Sequence, residues 1–297
     1  MKIKTINTVI NKKFDEFIAS ISDESVKKLV ETGTIITGGC IASMLLKEKV
    51  NDFDLYFKDK LTALAVAHYY VNKFNEVGGS YVPEVRTVDV NGDAFDYGDR
   101  IKIYIKSAGV VGTIPIEQSE RSIEGTLLEE ADEISSETLE IKEKYLPVFL
   151  TSNAITLSGQ IQLIIRFYGT PENIHENYDF VHCTNYWTSW DRKCTVNSSA
   201  LESLLSKELR YIGSKYPICS IIRTRKFIAR QWTINAGQYL KMIMQASELD
   251  LSDLRVLEDQ LVGVDASYFN QVIFEMSQRN KETIEIGYLM TILDRIF

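Results

Sequence analysis

The chain has little of what staples or anchors a protein. Only four of its 297 residues are cysteine, at Cys40, Cys183, Cys194 and Cys219, and no two of them form a Cys-x-x-Cys pair. A disulfide framework and a structural zinc site are therefore not expected. The histidines, His68, His175 and His182, carry no cysteine or carboxylate spacing that marks a metal. No apolar run reaches the roughly 18 residues that a membrane helix needs. The start, Met1-Lys2-Ile3-Lys4, lacks the apolar core of a signal peptide, so a cytoplasmic protein with no membrane partner is expected. There is no Walker A sequence and no Gly-x-Gly-x-x-Gly, which removes P-loop and Rossmann chemistry. No Gly-x-Ser-x-Gly elbow is present, so a serine–histidine hydrolase has no support. The net charge is −8, which argues against broad, sequence-independent binding of nucleic acid. A local basic groove or a small nucleotide substrate stays compatible with it.

What is present is an ordinary globular composition, 45% hydrophobic and 25% charged, in a chain long enough for a large core. Residues 5–32 read as helix, with Ile6, Val9, Ile10, Phe14, Phe17 and Ile18 at helical spacing. Ser22-Asp23-Glu24 restarts a second helix, which Gly33 ends. Thr34–Thr37 reads as a short strand, Gly38-Gly39 as a turn, Cys40–Lys47 as a helix and Asp52–Phe57 as a strand. A strong helix spans 61–76, and strands are expected over 81–90 and 101–107. Residues 117–143 are rich in Asp and Glu against only Arg121 and Lys142, and read as a solvated acidic segment. Strands return over 145–150, 154–157 and 161–167. Thr170 and Pro171 then open a short helix, and a further strand is expected over 178–187. From Ser198, a cap together with Ser199, the pattern is helical to the end: 218–230, 236–246, 253–261, 267–278 and 283–296. The fold class expected is α+β, a mixed sheet with helices over 1–195 followed by an all-α domain over 196–297.

The chemistry concentrates at Gly38, Gly39, Asp52 and Asp54. A Gly-Gly pair lets backbone approach a phosphate closely. Asp-x-Asp on a strand puts both carboxylates on one face, because strand side chains alternate. Charges in an otherwise apolar strand need partners, and such a hard oxygen site suits Mg²⁺ held by a few carboxylates plus substrate phosphates. A second cluster is basic: Arg223, Lys226 and Arg230 share a helix face, with Arg225 nearby. It reads equally as a phosphate or RNA contact and as a solvated or acid-paired face. Tyr186, Trp187 and Trp190 are aromatics suited either to stacking a base or to filling a core edge.

The Gly-Gly, helix, Asp-x-Asp order over residues 35–57 resembles the signature of the DNA polymerase β-like nucleotidyltransferase superfamily. Residues 154–264 also resemble nucleotidyltransferase-like proteins of tailed phages. The resemblance implies an αβ palm in which Asp52 and Asp54 bind Mg²⁺ or Mn²⁺ and Gly38 and Gly39 position a nucleoside triphosphate. It implies metal-dependent transfer of a nucleotidyl group to an RNA (tRNA included), protein or small-molecule acceptor, in the host cytoplasm for a phage protein. The superfamily usually adds a third carboxylate on a later strand. Asp179, at the head of the expected strand, is the first choice for it and Asp89 the second, while Gln162 stands where a carboxylate might be expected on the preceding strand. Arg223 and Lys226 would be phosphate contacts from the helical domain. The alternative is a phage binding or structural protein that inherits the palm and holds a nucleotide without turning it over. The acceptor, the base and the oligomeric state are not written in the sequence.

Overall fold

The computed structural model describes residues 1–76, 82–88, 100–105, 110–111, 144–251, 253, 256 and 260. The acidic segment 117–143 and Asp89 lie outside the described residues. So do the helices expected over 253–261, 267–278 and 283–296, apart from residues 253, 256 and 260. The chain divides into two compact units, residues 1–175 with 183–200 and residues 176–182 with 201–297.

The first unit begins with α1 (Ile3–Ala19), whose buried stripe is Ile6, Ile10, Phe14, Phe17 and Ile18. The restart expected at Ser22-Asp23-Glu24 is present: Asp23 caps α2 (Glu24–Gly33) by accepting from the Ser25 and Val26 amides at 2.8 and 3.1 Å. β1 (Thr34–Thr37), α3 (Gly39–Leu46) and β2 (Phe53–Phe57) follow. α4 (Lys60–Glu76) starts under Asp59, which accepts from the Thr62 amide at 2.8 Å. β3 (Glu84–Val88) and β4 (Arg100–Tyr104) form an antiparallel ribbon. Then come β5 (Val110–Val111), β6 (Pro147–Leu150), β7 (Ala154–Leu157) and β8 (Ile161–Tyr168). α5 (Pro171–His175) opens on a reciprocal cap. The Asn173 side chain accepts from the Thr170 amide at 3.1 Å, and the Asn173 amide donates to the Thr170 hydroxyl at 3.4 Å. β9 (Tyr186–Thr188) and β10 (Lys193–Thr195) close the set.

Among the described residues, eight strands form one sheet in the order β10-β9-β1-β2-β8-β7-β6-β5. Every pairing is antiparallel except β2 with β8, so the sheet is mixed and the α+β expectation holds. One face carries Ile36, Leu55, Leu163 and Trp187 into the main core, beneath α1 and α4. Trp187 is fully buried, meets Phe14 edge-on at 4.9 Å, and donates its indole N–H to Asn11 at 3.1 Å. That settles Trp187 as a core residue, while Trp190 is exposed.

The strand expected over 178–187 is a correction. Only Tyr186–Thr188 is strand, and Val181–Cys183 is a 3-10 turn. The apolar run there is buried for another reason. Residues 176–182 belong to the second unit, where the Val181 amide donates to the Arg210 carbonyl at 3.0 Å and the Ile212 amide donates to the Asp179 carbonyl at 3.1 Å. Phe180, Tyr211, Phe227, Trp232 and His182 gather into an aromatic cluster, with the His182 ring 4.4 Å from that of Trp232. In the same unit run α7 (Pro217–Ala229) and α8 (Ala236–Ala246); α6 (Ser198–Ser206) precedes them. The cap of α6 is Asn197, which accepts from the Ser199 amide at 3.1 Å, rather than the expected serines.

His182 is 2% exposed, and its Nδ1 has no hydrogen-bond partner among the described residues. Burial lowers its pKa to about 4, against the smaller opposing pull of Asp179. A histidine that resists protonation only when folded leaves stability intact above pH 6.5 and lowers it as pH falls toward 4. Urea titrations at pH 7 and pH 4.5 should show this loss. His182→Phe, which keeps the ring and removes the titration, should cut the loss by on the order of 2 kcal/mol.

Candidate nucleotide site

The site grows from one register. On the antiparallel β1–β2 pair Thr37 lies opposite Asp54, and on the parallel β2–β8 pair Asp54 lies beside Gln162. Partners in register point to the same face. Tyr186 joins them, because it lies opposite Thr37 on β9. The row Tyr186–Thr37–Asp54–Gln162 therefore crosses four strands on the face opposite the Ile36–Leu55–Leu163 core. Gly38 follows Thr37 directly, which sets the Gly-Gly turn at the end of β1 next to Asp54.

Each member is held by a local cause. Gly38 caps α3 with φ 94° and ψ −147°, a conformation open to glycine and strained for other residues. Its amide donates to the Cys183 carbonyl at 3.2 Å. Gly39 is exposed, and a Cβ built on it would meet nothing within 4 Å. The start of α3 at Gly39 thus has open space beside it, and a helix start favours an anion. Asp52 lies just before β2 rather than in it, and is fixed by its neighbour, since the Phe53 amide donates to the Gln160 carbonyl at 2.8 Å. Asp52 and Asp54 are both half-buried.

The electrostatics are legible at Cys40, which is 2% exposed in the first turn of α3. Its thiol is pushed well above the ordinary range, by burial first and then by the charges of Asp54 and Asp52. Two carboxylates that disfavour a nearby thiolate also favour a cation. The donor set, two carboxylates beside an open Gly-Gly turn, fits a divalent ion that completes its shell with phosphate oxygens and water. Among the described residues, no group of three or more His, Cys, Asp or Glu side chains is placed to hold a metal ion.

Asp179 has a different occupation. It is 7% exposed in the second unit, where it accepts from the Ser220 hydroxyl at 2.8 Å and from the Arg223 guanidinium at 2.5 Å. Both carboxylate oxygens are engaged, so Asp179 and Arg223, expected as a metal ligand and a phosphate contact, are assigned to each other. A buried carboxylate needs such a pairing to remain charged. Lys226 is exposed on α7. Gln162, beside Asp54, brings an amide rather than a charge.

Two residues that the sequence did not single out complete the site. The Thr37 hydroxyl is fully buried and lies 2.9 Å from the Asn185 carbonyl, 3.3 Å from the Cys183 carbonyl and 2.9 Å from His175 Nε2. A hydroxyl has one proton, and the carbonyls can only accept. Thr37 therefore donates to a carbonyl and accepts from His175, which fixes the proton on Nε2. Burial lowers the His175 pKa to about 4, against a smaller opposing pull from Glu172, so the ring is neutral near pH 7.

The two glycines should respond differently to the same substitution. Gly38→Ala is expected to cost about 1–3 kcal/mol in urea denaturation, because its φ is unfavourable for alanine. Gly39→Ala should stay within about 0.5 kcal/mol of the parent.

Comparisons with known proteins place the chain. Among solved structures, the Thermotoga maritima CCA-adding enzyme complexed with tRNA aligns at 12% identity and a TM-score of 0.37, over 83% of this chain and 48% of that one. The Bacillus stearothermophilus CCA-adding enzyme in complex with CTP aligns at 11% identity and a TM-score of 0.40, over 88% and 51%. At these scores neither likeness carries an argument about activity. In sequence, the chain is 18% identical over 252 residues to Gabija anti-defense 2 of Bacillus phage SPbetaL7, which is 84% of this chain and 46% of that protein. It thus spans about half the length of the curated relative it matches. The model of the Gabija anti-defense 2 family matches residues 8–207, a stretch that contains the Gly-Gly turn, both aspartates, Gln162, His175 and Tyr186. The chain belongs to the Gabija anti-defense 2 family.

Proposed function

We propose that this chain is a phage counter-defence protein acting against Gabija, and that its first unit holds a nucleoside triphosphate with a divalent cation. Gly38 and Gly39 let the start of α3 approach the phosphates closely, with the Gly39 amide turned to them, and Asp52 and Asp54 hold Mg²⁺ or Mn²⁺. The observation that carries this reading is the register that sets the Gly-Gly turn beside Asp54, within the stretch the family model matches. Bound metal would neutralise the phosphate charge that the two carboxylates otherwise repel.

Holding the nucleotide is favoured over turning it over. Gln162 is neutral beside Asp54, and Asp179 is committed to Ser220 and Arg223. Nucleotidyl transfer to an RNA, tRNA, protein or small-molecule acceptor is the second reading, favoured by the presence of both Asp52 and Asp54 at one cation-attracting site.

Bacteria carrying Gabija and expressing this chain should again support plaques of a phage that Gabija blocks; no recovery with well-expressed chain would sink the counter-defence role. In parallel, ATP with Mn²⁺ should raise the melting temperature of the purified chain, and Asp52→Asn with Asp54→Asn should abolish the rise. An unchanged melting temperature in the parent would sink the nucleotide site. Labelled nucleotide appearing on added RNA or protein, and lost in the double variant, would move the assignment from holding to transfer.

A further inference from the structure

Tyr186 and His175 border the proposed nucleotide site, and the proposed function gives neither a role. Tyr186 is two strands from Asp54 on the same face of the sheet, with Thr37 between them. At the usual strand spacing that is about 10 Å, the scale of an extended nucleoside triphosphate. The Tyr186 and His175 ring centroids lie 5.8 Å apart at 54°, and both residues are half-buried. Their neighbours are strongly constrained: Trp187 points to the opposite face and is fully buried, while Thr37 fixes the imidazole through Nε2. The imidazole is thereby held in orientation beside the tyrosine ring.

We propose that Tyr186 and His175 form the platform for the nucleobase of a nucleoside triphosphate whose phosphates lie on the Gly38–Gly39 turn. This rests on the nucleotide-holding reading above. Stacking needs only a π-face, so a base lies on the Tyr186 ring with the tilted His175 ring at its edge; purines and pyrimidines are both accepted, with purines held better because they cover more of the tyrosine ring. The phosphates and the base are then read by separate groups: backbone amides and carboxylates at one end of the row, aromatic rings at the other.

The separation makes the idea testable with two probes on the purified full chain. Calorimetric titration with Mn²⁺ present would compare ATP with inorganic tripolyphosphate, which has phosphates and no base. The parent should bind both, and ATP more tightly. Tyr186→Leu should weaken ATP about tenfold and leave tripolyphosphate within about twofold, while Tyr186→Phe should keep parental affinity for both. His175→Gln retains an N–H for Thr37 and removes the ring, so it should weaken ATP and spare tripolyphosphate; it also tests the platform should Tyr186→Leu fail to fold. Equal parental affinity for the two probes, or ATP binding unaltered in Tyr186→Leu and His175→Gln, would overturn the platform while leaving the phosphate site standing. A parent that binds neither probe would overturn the nucleotide-holding reading and the platform together.

Discussion

The antiparallel pairing of Thr37 with Asp54 is the constraint on which the site depends. It fixes where the Gly-Gly turn emerges, because Gly38 follows Thr37 directly. It also decides which face receives the carboxylate, since a shift of one residue would turn Asp54 into the core and Leu55 out of it. The apolar face therefore enforces the polar one. Ile36, Leu55, Leu163 and Trp187 are buried together, and burying that much apolar surface holds the register more firmly than a single charged contact would. The Thr37 hydroxyl adds a second fastening from below, joining β1 to Asn185, Cys183 and His175.

The carboxylates of the two units have different surroundings. Asp179 is buried and engaged by Ser220 and Arg223, so its charge is neutralised within the protein. Asp52 and Asp54 stand half-buried beside an exposed glycine, and their charge is felt at the Cys40 thiol. The first arrangement holds a buried charge within its own unit, and the second acts on the thiol beside it.

Much of this was legible in the sequence where the signal is local. The stripe from Ile6 to Phe17, the Asp23 start of α2 and the Thr170–Pro171 start of α5 each follow from short-range spacing or capping chemistry. The order strand, Gly-Gly, helix, strand was also readable, although Asp52 falls just before β2, so alternation along the strand places Asp54 and not Asp52. What was not legible depends on distant partners. The stretch from Tyr178 reads as strand because Phe180 and Val181 are apolar, but their burial comes from Tyr211 and Phe227, many residues later. Asp179 looked like a ligand until Arg223 met it. His175 and Thr37 are 138 residues apart, and no spacing rule connects a lone threonine to a lone histidine.

The parallel pairing of β2 with β8 has a consequence for how the molecule comes into being. Asp54 and Gln162 become neighbours only after the long intervening chain has been looped back, whereas the β7–β8 hairpin closes over a few residues. Loop closure on that scale is costly in entropy, and contacts between distant residues slow folding. The Gly-Gly turn and Asp54 are therefore present and paired through β1 and β2 from early in translation, but Gln162 joins them only with strand β8, made much later. A fragment ending before β8 would carry the full motif without the strand that sets Gln162 beside Asp54.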